Sequence, residues 1–360
     1  MKKTSLVLAG LLILSCCGCR SVKPVTPDAS PEAVALLQYI HRLSGQHTLS
    51  GQHNYPNTHD ISTQEAARAW GKTPAVFGQD FGFAAPGDKD AAAARPEMIA
   101  EVKKQYANGA LITLCWHAVR PTDDEPVTFH DSVQGKLTDE QWNELITPGT
   151  PLNRRWCAQV DVIAGYLAEL RDAHIPILWR PYHEMNGDWF WWGGRPGNRG
   201  TIALYRQLFD RLANQHHLNN LIWIWNVDRP SKPIRQFANF FPGKDCFDIA
   251  ALDVYHSDFS PAYYHELLRL AGNKPIALAE VGPPPTLEKL RQQPQWTWWM
   301  LWAEMVDTRP AATEAMHALV DSPRSLSRDD LEYIKGIAPI RAASGLAPLP
   351  LPSTTRSAQH

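Results

Sequence analysis

Residues 175–193 read Ile175-Pro-Ile-Leu-Trp-Arg-Pro-Tyr-His-Glu-Met-Asn-Gly-Asp-Trp-Phe-Trp-Trp-Gly193. The first five residues form a short apolar run, the pattern of a strand buried on both faces, as in parallel sheets. The run meets His183-Glu184 where a strand hands over to a loop. It ends in an aromatic cluster: Trp189, Phe190, Trp191 and Trp192. A second stretch, Lys274-Pro-Ile-Ala-Leu-Ala-Glu-Val-Gly282, repeats the plan, with Glu280 closing an apolar strand. The fold that places these two strand ends together follows from the rest of the chain.

Six more apolar runs read as strands: Thr48–Gln52, Pro74–Phe81, Ala110–His117, Leu221–Asp228, Phe247–His256 and Thr297–Trp302. With Ile175–Glu184 and Pro275–Gly282 they make eight. Helical patterns fall between them. Ser62-Thr-Gln-Glu65 reads as a capping box opening a helix towards Trp70. Pro96–Tyr106, Trp156–Ala173 and Thr201–His216 each set their apolar residues on one face. Eight strands alternating with helices predict an α/β fold, a single-domain (β/α)₈ TIM barrel. The rival, a doubly wound open sheet, lacks support because no Gly-rich phosphate fingerprint follows any strand. The segment Ala118–Asn153 is then a long loop after strand three, on the face where such loops shape a site.

The 360 residues suffice for one large domain. A net charge of -2 implies neither a nucleic-acid partner nor a charged membrane-binding surface. The N-terminus reads as a targeting segment, with Lys2 and Lys3 before an apolar run, Leu6–Leu14, too short to span a bilayer comfortably. Cys16 and Cys19 each follow a small residue, as in a bacterial lipoprotein signal, and either is the candidate lipidated residue; an ordinary secretory signal is the alternative. Residues 1–19 are therefore assigned to a signal, 20–34 to a tether, 35–342 to the barrel and 343–360 to a disordered tail. The product is expected to be exported, to touch a membrane only through that anchor, and to act as a monomer. Outside the signal, Cys115, Cys157 and Cys246 are expected as buried thiols, and no CxxC or HExxH spacing suggests a metal.

In a barrel, catalytic groups stand at the C-terminal strand ends. Glu184 on strand four and Glu280 on strand seven then lie almost opposite each other. Two such carboxyls, one held protonated and one ionised, can flank a glycosidic bond. The chain also carries 14 tryptophans, several beside Gly, Asn or Asp, so some are expected to line a cleft.

The long motif Trp179-Arg-Pro-Tyr-His-Glu-Met-Asn-Gly-Asp-Trp-Phe-Trp-Trp192 resembles the signature of glycoside hydrolase family 26, retaining β-mannanases of the barrel clan with glutamates on strands four and seven. The likeness runs from about Ser44 to Trp302. It implies that Glu184 is the acid/base and Glu280 the nucleophile. It implies substrate-binding roles for His117, His183, Trp189 and Trp302, and a hydrogen bond from Tyr255 to the nucleophile. Arg180 is expected near that nucleophile, and Asp253 is expected to position Tyr255 or Arg180, or to form a structural ion pair. Asn226-Val-Asp228 borders the opposite subsites or is simply a polar loop start. Where the family often has an arginine after the strand-eight tryptophan, this chain has Ala303, which leaves endo or exo action open. No cofactor or metal is needed, because both catalytic groups are side chains. The implied substrate is β-mannan or manno-oligosaccharide. Mixed-linkage β-glucan or β-xylan is the runner-up, and a non-catalytic carbohydrate-binding protein a remote alternative.

Overall fold

The computed structural model describes residues 22–84, 89–124 and 126–352. Eight parallel strands close on themselves: β1 (Thr48–His53), β2 (Val76–Asp80), β3 (Leu111–Trp116), β4 (Ile177–Pro181), β5 (Leu221–Asp228), β6 (Ile249–Tyr255), β7 (Ile276–Gly282) and β8 (Trp296–Leu301). β8 returns to β1, with Leu49 opposite Trp298 and Gln52 opposite Leu301. The helices are α1 (Pro31–Leu43), α2 (Ile61–Trp70), α3 (Arg95–Ala107), α4 (Asp139–Leu145), α5 (Pro151–Asp172), α6 (Thr201–Phe209), α7 (Pro261–Ala271), α8 (Leu287–Gln292), α9 (Pro310–Val320) and α10 (Leu331–Ala343). This is the (β/α)₈ barrel the alternation predicts.

Two cores follow from the two-residue period of the strands. Inward residues such as Leu49, Val76, Leu178, Ile222, Ile224, Ala251, Ala277 and Trp298 fill the barrel and pack with α1 and α10. Outward residues such as Ile112, Trp179, Trp223, Leu278 and Trp299 pack with the surrounding helices. Each such valine, leucine or isoleucine contributes about 1.5–3 kcal/mol when fully buried. α1 and α10 share the interior core with residues near the strand starts and so close the bottom of the barrel. Their close approach needs Gly336, where a Cβ would stand 2.4 Å from Tyr39 Cε2. Twelve of the fourteen tryptophans are buried; Trp189 and Trp302 keep exposed surface.

Several boundaries differ from expectation. The helix towards Trp70 starts at Ile61, so Ser62 is inside it and caps nothing. The N-cap is Asp60, whose carboxylate is taken by the side chains of Gln64 and Gln105. The long segment after β3 holds a π-helical turn, Phe129–Val133, and α4, which opens with a true capping box between Thr138 and Gln141. Residues 22–30, expected as tether, are a bound strap. Val25 N–H donates to Asp248 Oδ1 at 2.7 Å, Thr26 Oγ1 to the Leu221 carbonyl at 2.9 Å, and Ser30 N–H to the Asn219 carbonyl at 2.9 Å. At the other end, residues 344–352 follow the barrel wall: Leu346 and Leu349 pack against the cores and Arg341 Nε bonds the Ala347 carbonyl. The signal and its Cys16 and Cys19 lie outside the described residues, as do residues 353–360. Cys115 and Cys246 are buried free thiols, whereas Cys157 on α5 is half-buried. Among the described residues no helix is long and apolar enough to cross a membrane.

Candidate active site

The site is built at the C-terminal strand ends, from side chains that continue the inward faces of β4 to β7. On β4 Leu178 is in the interior core, so Arg180 two residues on points the same way. Its guanidinium holds three neighbouring strands together. Nη1 donates to Asn226 Oδ1 on β5 at 3.0 Å and to Asp253 Oδ2 on β6 at 3.3 Å, and Nη2 donates to Glu280 Oε2 on β7 at 2.9 Å. Asp253 therefore positions Arg180. Tyr255, inward like Asp253, donates its hydroxyl to Glu280 Oε1. Both oxygens of Glu280 are thus engaged by donors suited to a carboxylate.

Simple alternation would send Glu280 the wrong way. Ala277 and Ala279 belong to the interior core, and Leu278 and Val281 to the outer one. Strict period two would place residue 280 outside. Instead the register slips: Leu252 faces Leu278, but Asp253 faces Glu280. This bulge turns two successive residues inward and re-aims the glutamate into the cleft, a common use of bulges beside active sites.

Glu184 is not on the strand. β4 stops at Pro181, and the chain turns through Tyr182 (φ 47) and Glu184 (φ 51), both in the left-handed region that non-glycine residues seldom occupy. The turn is pinned by Asn186. Its side chain donates to the Asp228 carbonyl at 2.6 Å and the Arg235 carbonyl at 3.0 Å, and accepts from Asp228 N–H at 2.7 Å. Trp189 then folds back over Gly187, where a Cβ would come within 2.3 Å of the indole. The indole N–H donates to Glu184 Oε2, and the Arg235 guanidinium lies 5.3 Å from the ring centroid. Of the aromatic cluster, only Trp189 keeps exposed surface. Phe190, Trp191 and Trp192 are packing; Trp191 Nε1 bonds the Ala118 carbonyl and Trp192 Nε1 the His183 carbonyl.

The other half of the cleft is lined by histidines. His117 follows β3 and is fixed by Asp80, which accepts its ring Nδ1 at 2.6 Å and its main-chain N–H at 3.0 Å. The His183 ring meets His117 edge-on at 4.4 Å, and Trp302 meets it at 5.9 Å. Trp302, just past β8, stacks on His53 at 4.1 Å and 12°. Beside it, Tyr55 donates to Glu304 at 2.5 Å. Asp80 and His53 escaped the sequence reading. A carboxylate inside the apolar run Phe77–Phe81 was the available signal for Asp80, whereas nothing in Gly51-Gln-His53 singled out the histidine.

The electrostatics are asymmetric. Burial, then the charges of Glu280, Asp253 and Asp228, push the Glu184 carboxyl well above the usual carboxylate range, against the pull of the Trp189 N–H. Burial likewise raises Asp253 despite Arg180. For Arg180, burial opposes the charge, but Asp253 and Glu280 outweigh it and raise its pKa. Burial pushes His183 well below its ordinary value, with His117 and Arg180 adding to the effect, so its imidazole is neutral. Among the described residues, Asp80, Cys115 and His117 bring three ligand atoms within 4.8 Å of one another. They suit a metal poorly. Asp80 Oδ1 already receives the N–H groups of Gly82 and His117, Oδ2 the His117 ring, and burial keeps the Cys115 thiol protonated.

A buried acid facing a carboxylate gripped at both oxygens is equipped for two-carboxylate glycoside chemistry. Comparison with known proteins gives the family. The sequence model of Glycosyl hydrolase family 26 matches residues 25–330. A curated mannan endo-1,4-beta-mannosidase of Thermothelomyces thermophilus is 32% identical over 286 residues, covering 77% of this chain and 56% of its own. One of Bacillus subtilis is 26% identical and covers 94% and 99%. The chain spans about half the length of the first of these relatives, and nearly all of the second. Among solved structures, GH26A from Muricauda sp. MAR_2010_75 superposes with a TM-score of 0.79 at 40% identity, over 84% of this chain and 98% of that one. Bacillus subtilis mannanase BCman gives 0.73 at 25% identity, over 86% and 96%. With the motif, the barrel and the paired glutamates in place, the chain belongs to glycosyl hydrolase family 26.

Proposed function

We propose that the protein is a retaining glycoside hydrolase that cleaves β-1,4-mannosidic bonds in mannans or manno-oligosaccharides. The observation that carries this reading is the unequal state of the two glutamates. Glu280 is oriented by Tyr255 and Arg180 for attack on the anomeric carbon, and burial and the neighbouring carboxylates favour the protonated form of Glu184 beside it. In the first step Glu280 displaces the leaving sugar while Glu184 gives its proton to the glycosidic oxygen. In the second, Glu184, now ionised, takes a proton from water as the water attacks the glycosyl-enzyme. Side chains supply the acid, the base and the first nucleophile, and water supplies the second. The mannan specificity rests on the relatives named above. Product analysis on mannohexaose, alongside β-glucan and xylan oligomers, tests it. Cleavage of mannohexaose with retained anomeric configuration supports the proposal, and cleavage of glucan or xylan alone moves the substrate to the runner-up.

We further propose that the mature protein is an exported, lipid-anchored monomer. The strap of residues 22–30 reaches the barrel at the N-terminal ends of β5 and β6, opposite the site. An anchor at Cys16 or Cys19 would therefore leave the cleft mouth facing away from the membrane. Mass spectrometry of the mature N-terminus tests the anchor; an unmodified terminus beginning beyond Cys19 would refute it.

A further inference from the structure

We infer that Asp228 is a further substrate-binding residue of this enzyme, accepting hydrogen bonds from hydroxyls of the leaving-group sugar next to Glu184. The inference rests on the glycosidase reading and concerns the side of the cleft that the sequence left open. Residues 222 and 224 of β5 lie in the interior core, and Asn226 reaches Arg180 from inside the barrel. Asp228, two residues on, leaves the same face at the mouth. It stands level with the machinery, because Asp228 is in register with Asp253 and Asp253 with Glu280. The main chain of Asp228 is clamped on both sides by Asn186, two residues beyond Glu184. Its place beside the acid/base is thus fixed without help from its own carboxyl.

That carboxyl has little else to do. Its charge partner is Arg229, in a long contact of 3.4 Å from Nε to Oδ1, and Arg229 spends its better bond, 2.7 Å, on the Tyr255 carbonyl. Only 8% of the side chain surface is exposed. Its other donor is the main-chain N–H of Arg229, which still leaves a nearly buried carboxylate short of partners, and that is costly for the free protein. Burial accordingly lifts it to about 6, against the pull of Arg229. A sugar seated there would supply the missing donors. His117, His53 and Trp302 occupy the opposite half of the cleft, around β3, β1 and β8. The half around β5, with Trp189 and Arg235, is left for the leaving group. Two adjacent hydroxyls can bond one carboxylate in the bidentate fashion that gives both affinity and orientation.

The experiment compares Asp228→Asn and Asp228→Ala with the parent enzyme on two substrates. One is mannohexaose, which fills the leaving-group side with sugar. The other is an aryl β-mannobioside whose leaving group is not a sugar. Loss of hydrogen bonds to a charged acceptor predicts a fall in kcat/KM of about tenfold to a hundredfold on mannohexaose. The fall on the aryl substrate should be about threefold or less, and transfer of the glycosyl group to added mannobiose should drop relative to hydrolysis. Equal losses on both substrates in a folded variant would show that Asp228 acts through the charge or structure of the site and overturn the inference. So would an undiminished rate on mannohexaose. If the parent enzyme cleaves a different β-glycan, the mannan reading fails, and the same pair of substrates built on that glycan still decides the role of Asp228.

Discussion

Replacing Trp189 by Phe removes one bond at Glu184, the proposed acid/base. An aromatic ring is kept, smaller by the pyrrole ring, and the N–H that donates to Glu184 Oε2 is lost. A hydrogen bond to a carboxylate contributes about 1.5–3 kcal/mol, and one to a neutral acid about 0.5–1.5 kcal/mol. The difference, about 1–1.5 kcal/mol, measures how far the indole favours the ionised form. At 1.36 kcal/mol per pKa unit this is about one unit. The burial and the charges of Glu280, Asp253 and Asp228 that raise Glu184 remain in the variant. Its pKa should therefore rise further. Glu184 must carry a proton for the first step, so activity is lost as pH climbs through its pKa, and the basic limb of kcat/KM should move up by about one unit. The assay is the pH profile of kcat/KM on a manno-oligosaccharide, which reports the free enzyme. Any loss of sugar stacking lowers the whole curve without moving the limb. A limb that stays put, or moves to lower pH, would refute both the role of the indole and the placing of the proton on Glu184.

Glu184→Ala should keep a fast first step on an aryl mannoside with a good leaving group and then stall, seen as a burst of released phenol; equal losses on activated and natural substrates would count against Glu184 as acid/base. Arg180→Met removes the cation shared by Asp253 and Glu280 in a wholly buried setting, and should destabilise the fold by about 3–5 kcal/mol in urea unfolding; an unchanged midpoint would show that the triad contributes nothing. Asp248→Ala strips the acceptor from the N–H groups of Val25 and Trp223, and should cost about 2–3 kcal/mol and open the segment 22–30 to proteinase K. Resistance equal to the parent's would mean that the strap is held elsewhere.

The site tolerates like charge because its geometry separates roles. Four carboxyls, Glu184, Asp228, Asp253 and Glu280, meet here; the buried Arg180 pairs with Asp253 and Glu280, and Arg229 lies against Asp228. In a poorly solvated cleft such a surplus drives protons onto the groups with the weakest partners. Glu184, with one indole donor, is such a group, whereas Glu280 has a guanidinium and a phenol. The proposed acid and nucleophile, both glutamates, are distinguished by what touches them.

The local sequence by itself determined the strands, most helices, the barrel class and the two glutamates. Those features are written in short-range pattern: apolar runs of strand length, helical periodicity between them, and polar residues where apolar runs stop. The tertiary structure alone decided the rest. Whether Glu280 faces the cleft depends on a register slip against β6, which involves a strand about 25 residues away and has no local signature. That Glu184 sits three residues past its strand, in a left-handed turn, depends on Asn186 reaching β5. Of the four aromatics after Gly187, which the sequence shows only as a cluster, three are core, because the segment after β3 folds over them. The strap was legible only as a polar, Pro-containing stretch, since the Asp248 carboxylate that binds it lies 223 residues further along the chain. Period and composition act over a few residues, but a side chain's partners are set by which strand ends the closed barrel brings together.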